Sequence, residues 1–205
     1  MKKEKKFILY VIVCFLLLGA CGEEKTYTLE GNIRGLSDRI LYIKTSEAKI
    51  DTVYSKDGEF KYDVAGSNSI QPVLIIMEDS SVYITVWAQN GQVIEISGNA
   101  GYPELIEING NEINNLLTGF RHTNRTIIEE WNDTDDIARK EELMQILIRH
   151  SQIFIRQHPA SIASLVLIQD YLVKSNDLNV IREALSLIES PAKECALYER
   201  LRAVY

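Results

Sequence analysis

Cysteine, histidine and proline are scarce in this chain. Its three cysteines are Cys14, Cys21 and Cys195, and no two stand as C-x-x-C, so the sequence offers no dithiol redox pair. Its three histidines are His122, His150 and His158. On one helix His150 and His158 would lie about 80° apart, and neither has a carboxylate or cysteine at ligand spacing. No metal site and no cofactor are therefore expected, since zinc requires three or four convergent ligands. No G-x-S-x-G elbow, Walker loop or dinucleotide fingerprint occurs. Serine, histidine and aspartate are present, but composition alone does not make a triad, and no catalytic residue is expected.

One long apolar run does occur. Lys2, Lys3, Lys5 and Lys6 precede the stretch from Phe7 to Leu18, which closes on Gly19 and Ala20. That is the order of an export signal. A spanning helix needs about 20 apolar residues, and this run is shorter and stops at Gly22-Glu23-Glu24-Lys25. Residues 1–20 are thus read as a signal peptide, and residues 21–25 as Cys21 with a short tether.

Leu18-Gly19-Ala20-Cys21 resembles the lipobox of bacterial lipoproteins, an aliphatic residue and two small ones before a cysteine. The resemblance implies cleavage before Cys21, alkylation of its thiol by diacylglycerol and acylation of the new amino terminus. Each buried methylene contributes about 0.8 kcal/mol and two lipid signals suffice for stable anchoring, so three chains would hold the protein at a membrane permanently. Gly22 is not the aspartate that typically retains such proteins in the inner membrane, so the periplasmic face of the outer membrane is the expected location. Cys195 would be the one thiol left, read as a small apolar core residue.

Losing Lys2, Lys3, Lys5, Lys6 and Glu4 from 22 basic and 29 acidic residues leaves 18 and 28, a net of −10. That balance argues against nucleic acid and against an anionic bilayer surface as partners. The remaining length can bury roughly 70% of its unfolded surface, enough for one sizeable core or two modest ones.

The chain changes period once. From Thr26 to about Asn109 apolar residues alternate with polar ones, as in Tyr27, Leu29 and Ile33, then Phe60, Tyr62 and Val64, then Val82, Ile84 and Val86. Alternation of this kind marks half-buried strands. Asp57-Gly58 and Asn90-Gly91 read as hairpin turns, and Pro72 as a strand start or edge residue. Seven or eight antiparallel strands over 26–110 are predicted, in a sandwich or barrel-like domain.

Beyond Gly110 the period is helical. Ile113, Leu116, Leu117, Phe120, Ile127 and Trp131 form one stripe; Ile137, Met144, Leu147, Ser151, Phe154 and Ile155 form a second, ended by His158-Pro159. Ser161 to Val173 reads as a buried helix, Asn176-Asp177 opens a fourth, and Ser190-Pro191 opens a fifth. Strands followed by helices, in 26–110 and 111–205, give an α+β fold. Asn132-Asp133-Thr134-Asp135-Asp136 crowds oxygens but lacks the glycine and glutamate of a calcium loop. It reads as a cap and acids at the positive end of the next helix.

TYTLEGNIRGL (Thr26 to Leu36), IDTVYSKDGEFKYD (Ile50 to Asp63) and VIEISGNA (Val93 to Ala100) resemble the uncharacterised β-rich domain at the front of Gram-negative lipoproteins of the TlpA/ResA type. INGNEINNLL (Ile108 to Leu117) and HPASIASLVLI (His158 to Ile168) resemble the helical region that follows it there. In those proteins a thioredoxin-like domain with a C-x-x-C pair comes next. This sequence is expected to be without that domain, so none of its catalytic positions carries over.

The expected function is accordingly that of a non-enzymatic, membrane-anchored lipoprotein with a binding or scaffolding role in the cell envelope. Its expected partners are the membrane, through Cys21, and a protein, either a thioredoxin-like domain or another envelope component. Two alternatives stay open. One is the front half of a thiol-disulfide oxidoreductase whose catalytic domain is missing or separately encoded, with Cys195, Tyr198 and Leu201 as an apolar docking face. The other is recognition of a peptide or glycan by a sheet edge. Tyr27, Tyr42, Tyr54, Tyr62, Tyr83, Trp87 and Tyr102 are ordinary strand aromatics, and the sheet is where a binding face would lie.

Overall fold

The computed structural model describes residues 26–45, 49–78 and 83–205. The signal peptide, the lipobox residues Leu18, Gly19 and Ala20, and Cys21 lie outside them. Eight strands follow in order: β1 (Thr26–Arg34), β2 (Ile40–Lys44), β3 (Ile50–Tyr54), β4 (Glu59–Ala65), β5 (Gln71–Met77), β6 (Tyr83–Ala88), β7 (Val93–Asn99) and β8 (Glu107–Asn109). They make two four-stranded sheets, ordered β4-β1-β7-β8 and β3-β2-β5-β6. The inner faces meet in one apolar layer that includes Leu29, Ile33, Leu41, Ile43, Ile75, Val86, Ile94 and Ile96. The alternation seen in the sequence is the pleat: Leu41 and Ile43, Val73, Ile75 and Met77, and Ile94 and Ile96 stand two residues apart along their strands and line this layer.

Two features differ from the all-antiparallel hairpin expectation. β1 pairs with β7 in parallel, Leu29 opposite Ile94, a long-range pairing that no local pattern encodes. The Asp57-Gly58 turn forms as predicted, with φ of 53° and 86° and paired bonds between Lys56 and Glu59. It nevertheless joins β3 of one sheet to β4 of the other, so the strands part after a single bridge.

Six α-helices follow: α1 (Glu112–Thr123), α2 (Arg125–Asp133), α3 (Ile137–Gln157), α4 (Ile162–Leu167), α5 (Leu178–Leu187) and α6 (Ala196–Val204). The fold is α+β. The first predicted helix is two, and the buried Asn124 stands at the break: its Nδ2 donates to the Phe120 carbonyl at 2.8 Å, beside its own backbone N–H, and its Oδ1 pairs with His150 Nδ1. Asn124 has left the helical region of backbone space, with φ of −102° and ψ of 12°, and serves as the end of α1 and the start of α2.

Asp136 caps α3 by accepting from Ala138 and Arg139 N–H at 2.9 and 3.3 Å, which is the role read for the Asn132–Asp136 run. Asp177 caps α5 and Ser161 caps α4 in the same way. The last helix opens later than Ser190-Pro191 predicted. Ala192–Glu194 make only a 3₁₀ turn, and the extended backbone of Cys195 interrupts it before Ala196.

Candidate functional site

The site is built where the sheets meet the helices. Along β5 and β6 the residues Val73, Ile75, Ile84 and Val86 face the sandwich core, so Pro72, Leu74, Tyr83, Thr85 and Trp87 face outward. Of these, Trp87 is only 4% exposed because it packs into the helical core with Leu117, Phe120 and Val166. Gly110, at the junction of β8 and α1, has φ of +118°, and a Cβ there would strike the Val93 carbonyl oxygen. A glycine therefore sets the angle at which α1 leaves the sheet.

That angle brings Asn111 and Asn114 onto the edge of β6. Asn114 Oδ1 accepts the Trp87 N–H at 3.0 Å and its Nδ2 donates to the Trp87 carbonyl at 2.8 Å. Asn111 Nδ2 donates to the same carbonyl at 2.7 Å. Pro72, opposite Trp87, loses nothing by lacking an N–H. The pair is a non-hydrogen-bonded one, and β2, on the other side of β5, reaches only Leu74. Pro72 is thus the second residue of a central strand, at the part that overhangs its neighbour.

Beside this joint lies a cleft of about 1800 Å³ between the outer face of β5 and β6 and the helices. Its far wall includes Arg121 of α1, Trp131 of α2 and the segment Gln169, Asp170, Tyr171. After α4 the chain widens into a π-helical turn, Ile168–Leu172, and then tightens through Val173–Ser175. Sequence reading predicted one regular helix here. The π turn is the difference, and such turns frequently mark functional sites; this one sets Gln169, Asp170 and Tyr171 on the cleft.

The electrostatics of that wall are mixed. Burial pushes the Asp170 carboxyl above the usual carboxylate range, with Arg121 and Lys174 opposing the shift. Burial also pushes the Tyr171 phenol up to about 12. The Lys174 ammonium stands 5.8 Å from the Tyr171 ring and 5.9 Å from Trp131, within cation–π range. Gln169 Oε1 accepts from Arg200 at 3.2 Å. Lys44, Arg121, Lys174 and Arg200 face Glu104, Glu112, Asp170 and Glu194 around the cleft. Such a surface can orient a ligand that carries both donors and acceptors.

The residues singled out in the sequence are dispersed. His122 is exposed at the end of α1, His150 is held by Asn124, and the His158 ring packs on Phe154 at 4.5 Å. Among the described residues no group of three or more histidine, cysteine, aspartate and glutamate side chains is placed to hold a metal ion, and no helix is long and apolar enough to cross a membrane. Cys195 is half-buried at the cleft rim. Tyr198 packs on the helical core and Leu201 is 5% exposed, so Leu201 belongs to the interior and not to an outer face. Of the strand aromatics, Tyr27 and Trp87 are buried, whereas Tyr54 and Tyr83 are exposed.

Asn111, Asn114, Arg121, Asp170, Tyr171 and Lys174 were not singled out as site residues. One signal did exist: Asp170 is the sole charged residue between Ile162 and Val173, and an acid inside an apolar helical run rarely lacks a purpose.

Residues 27–117 match the family described as a domain of unknown function, DUF4369. The match covers the sandwich and runs into α1 as far as Leu117, so it takes in both asparagines that hold Trp87. No curated protein and no solved structure matches this chain.

Proposed function

We propose that this protein is a lipoprotein of the cell envelope, held at a membrane through Cys21, that works by binding and not by catalysis. The cleft carries this reading. It is large, it lies between the sheet and the helices, where ligand sites tend to form, and its polar groups are of both signs. The address rests on the Leu18-Gly19-Ala20-Cys21 lipobox and the charged and apolar stretches before it. The outer membrane, periplasmic face, is the location we assign.

The likeness of Thr26–Leu36, Ile50–Asp63 and Val93–Ala100 to the front domain of TlpA/ResA-type lipoproteins extends the proposal. A protein of the envelope, a thioredoxin-like domain among them, is the class of partner it favours. A match of residues 27–117 to an uncharacterised domain is compatible with that relationship.

In-cell photo-crosslinking tests the binding role. A benzophenone side chain at Gln169, on the cleft, is expected to give a discrete crosslinked species that the same group at the exposed Glu95 of β7 does not. Identical patterns from the two positions would remove the cleft from the function.

A further inference from the structure

We infer that the cleft takes an extended polypeptide segment as an added strand on β6, which rests on the binding role proposed above. β6 ends its sheet and pairs with β5 alone. The Trp87 N–H goes to Asn114 and Pro72 opposite has none, so the ladder bonds fall at Val73/Val86 and Ile75/Ile84. By alternation Trp87, Thr85 and Tyr83 turn their N–H and C=O groups away from β5. At Trp87 those groups are satisfied by Asn111 and Asn114. At Thr85 and Tyr83 no partner exists among the described residues.

What this edge accepts is visible at its occupied end. Asn114 presents a carboxamide, one acceptor and one donor side by side, and so reproduces a single peptide group of a neighbouring strand. The next outward residue repeats the same donor–acceptor pair about 7 Å on, two residues at ~3.4 Å each. An extended peptide backbone repeats a donor and an acceptor at that interval. Thr85 is exposed and lines the cleft. The cleft, about 1800 Å³, opens over the outer face at these same residues, so the side chains of an added strand that alternate to that face would enter it. Open edges are normally blunted by charge, proline or a covering element, whereas among the described residues hydrogen bonds from α1 and its cap close the Trp87 end of this one. Strand addition of this kind draws affinity from main-chain bonds and selectivity from alternate side chains, which would meet Arg121, Asp170 and Tyr171.

The probe is reduced, carboxymethylated α-lactalbumin, an unfolded polypeptide, added to the full chain in detergent. Binding at micromolar concentration is expected, with the Thr85 amide slowed at least about tenfold in hydrogen exchange when the complex forms. Thr85→Pro deletes the outward N–H without touching a ladder bond and is expected to weaken binding at least about tenfold; Glu95→Gln, on the exposed face of β7 away from the cleft, is expected to bind as the parent does. Should Thr85→Pro not fold, exchange at Thr85 in the parent chain decides alone. Binding with the Thr85 amide unchanged would overturn strand addition and leave the cleft as a binding site. No binding up to about 100 µM would also overturn it, and crosslinking from Gln169 then reports separately whether the binding role stands.

Discussion

Asn114 stands beside Trp87 as a strand would, accepting its N–H at 3.0 Å and donating to its carbonyl at 2.8 Å. Both residues are buried, at 1% and 4% exposure, so water cannot replace either bond. One amide thereby closes the end of a sheet edge and fixes α1, and with it the helical wall of the cleft, to the sandwich.

Asn114→Leu is expected to leave the Trp87 N–H unsatisfied in the interior, at a cost of about 2–3 kcal/mol. Urea titration followed by tryptophan fluorescence checks it. The midpoint falls, and Trp87, which belongs to the helical core, reports it. Asn111 shares only the carbonyl and cannot restore the lost acceptor.

Asp170 makes stability depend on pH in a direction opposite to that of a salt-bridged carboxylate. Burial raises its folded value, so the folded chain binds the proton more tightly than the unfolded chain does. The associated stability is complete below the ordinary aspartate range and is lost as pH rises through the raised value. Asp170→Asn, neutral throughout, is therefore expected to be more stable than the parent at pH 7, with the difference closing as pH falls toward about 4. Denaturation midpoints across that range measure it, and a constant difference would contradict it.

Much of the fold was legible because it depends on single faces. Tyr27, Leu29 and Ile33 alternate since one side of β1 is buried, and Asp136 and Asp177 announce helix starts since a free backbone N–H needs an acceptor. What stayed hidden depends on distant partners. Nothing near Leu29 says that Ile94 runs parallel beside it. Nothing near Asn124 says that His150 will hold its side chain where the helix breaks. The π turn at Ile168–Leu172 lies in an apolar run that a regular helix would suit equally well. The site inherits that difficulty, since Arg121, Trp87 and Asp170 come from three separate stretches. Only the isolated acid Asp170 left a local mark.

The envelope role proposed for this protein presupposes that Cys21 holds it at a membrane. Metabolic labelling with an alkynyl fatty acid, read on the immunopurified protein, tests that most directly. The parent chain is expected to carry the label and to sediment with membranes, and Cys21→Ala to carry none. An unlabelled parent chain, or a Cys21→Ala chain labelled as strongly as the parent, would contradict the anchor and with it the envelope role.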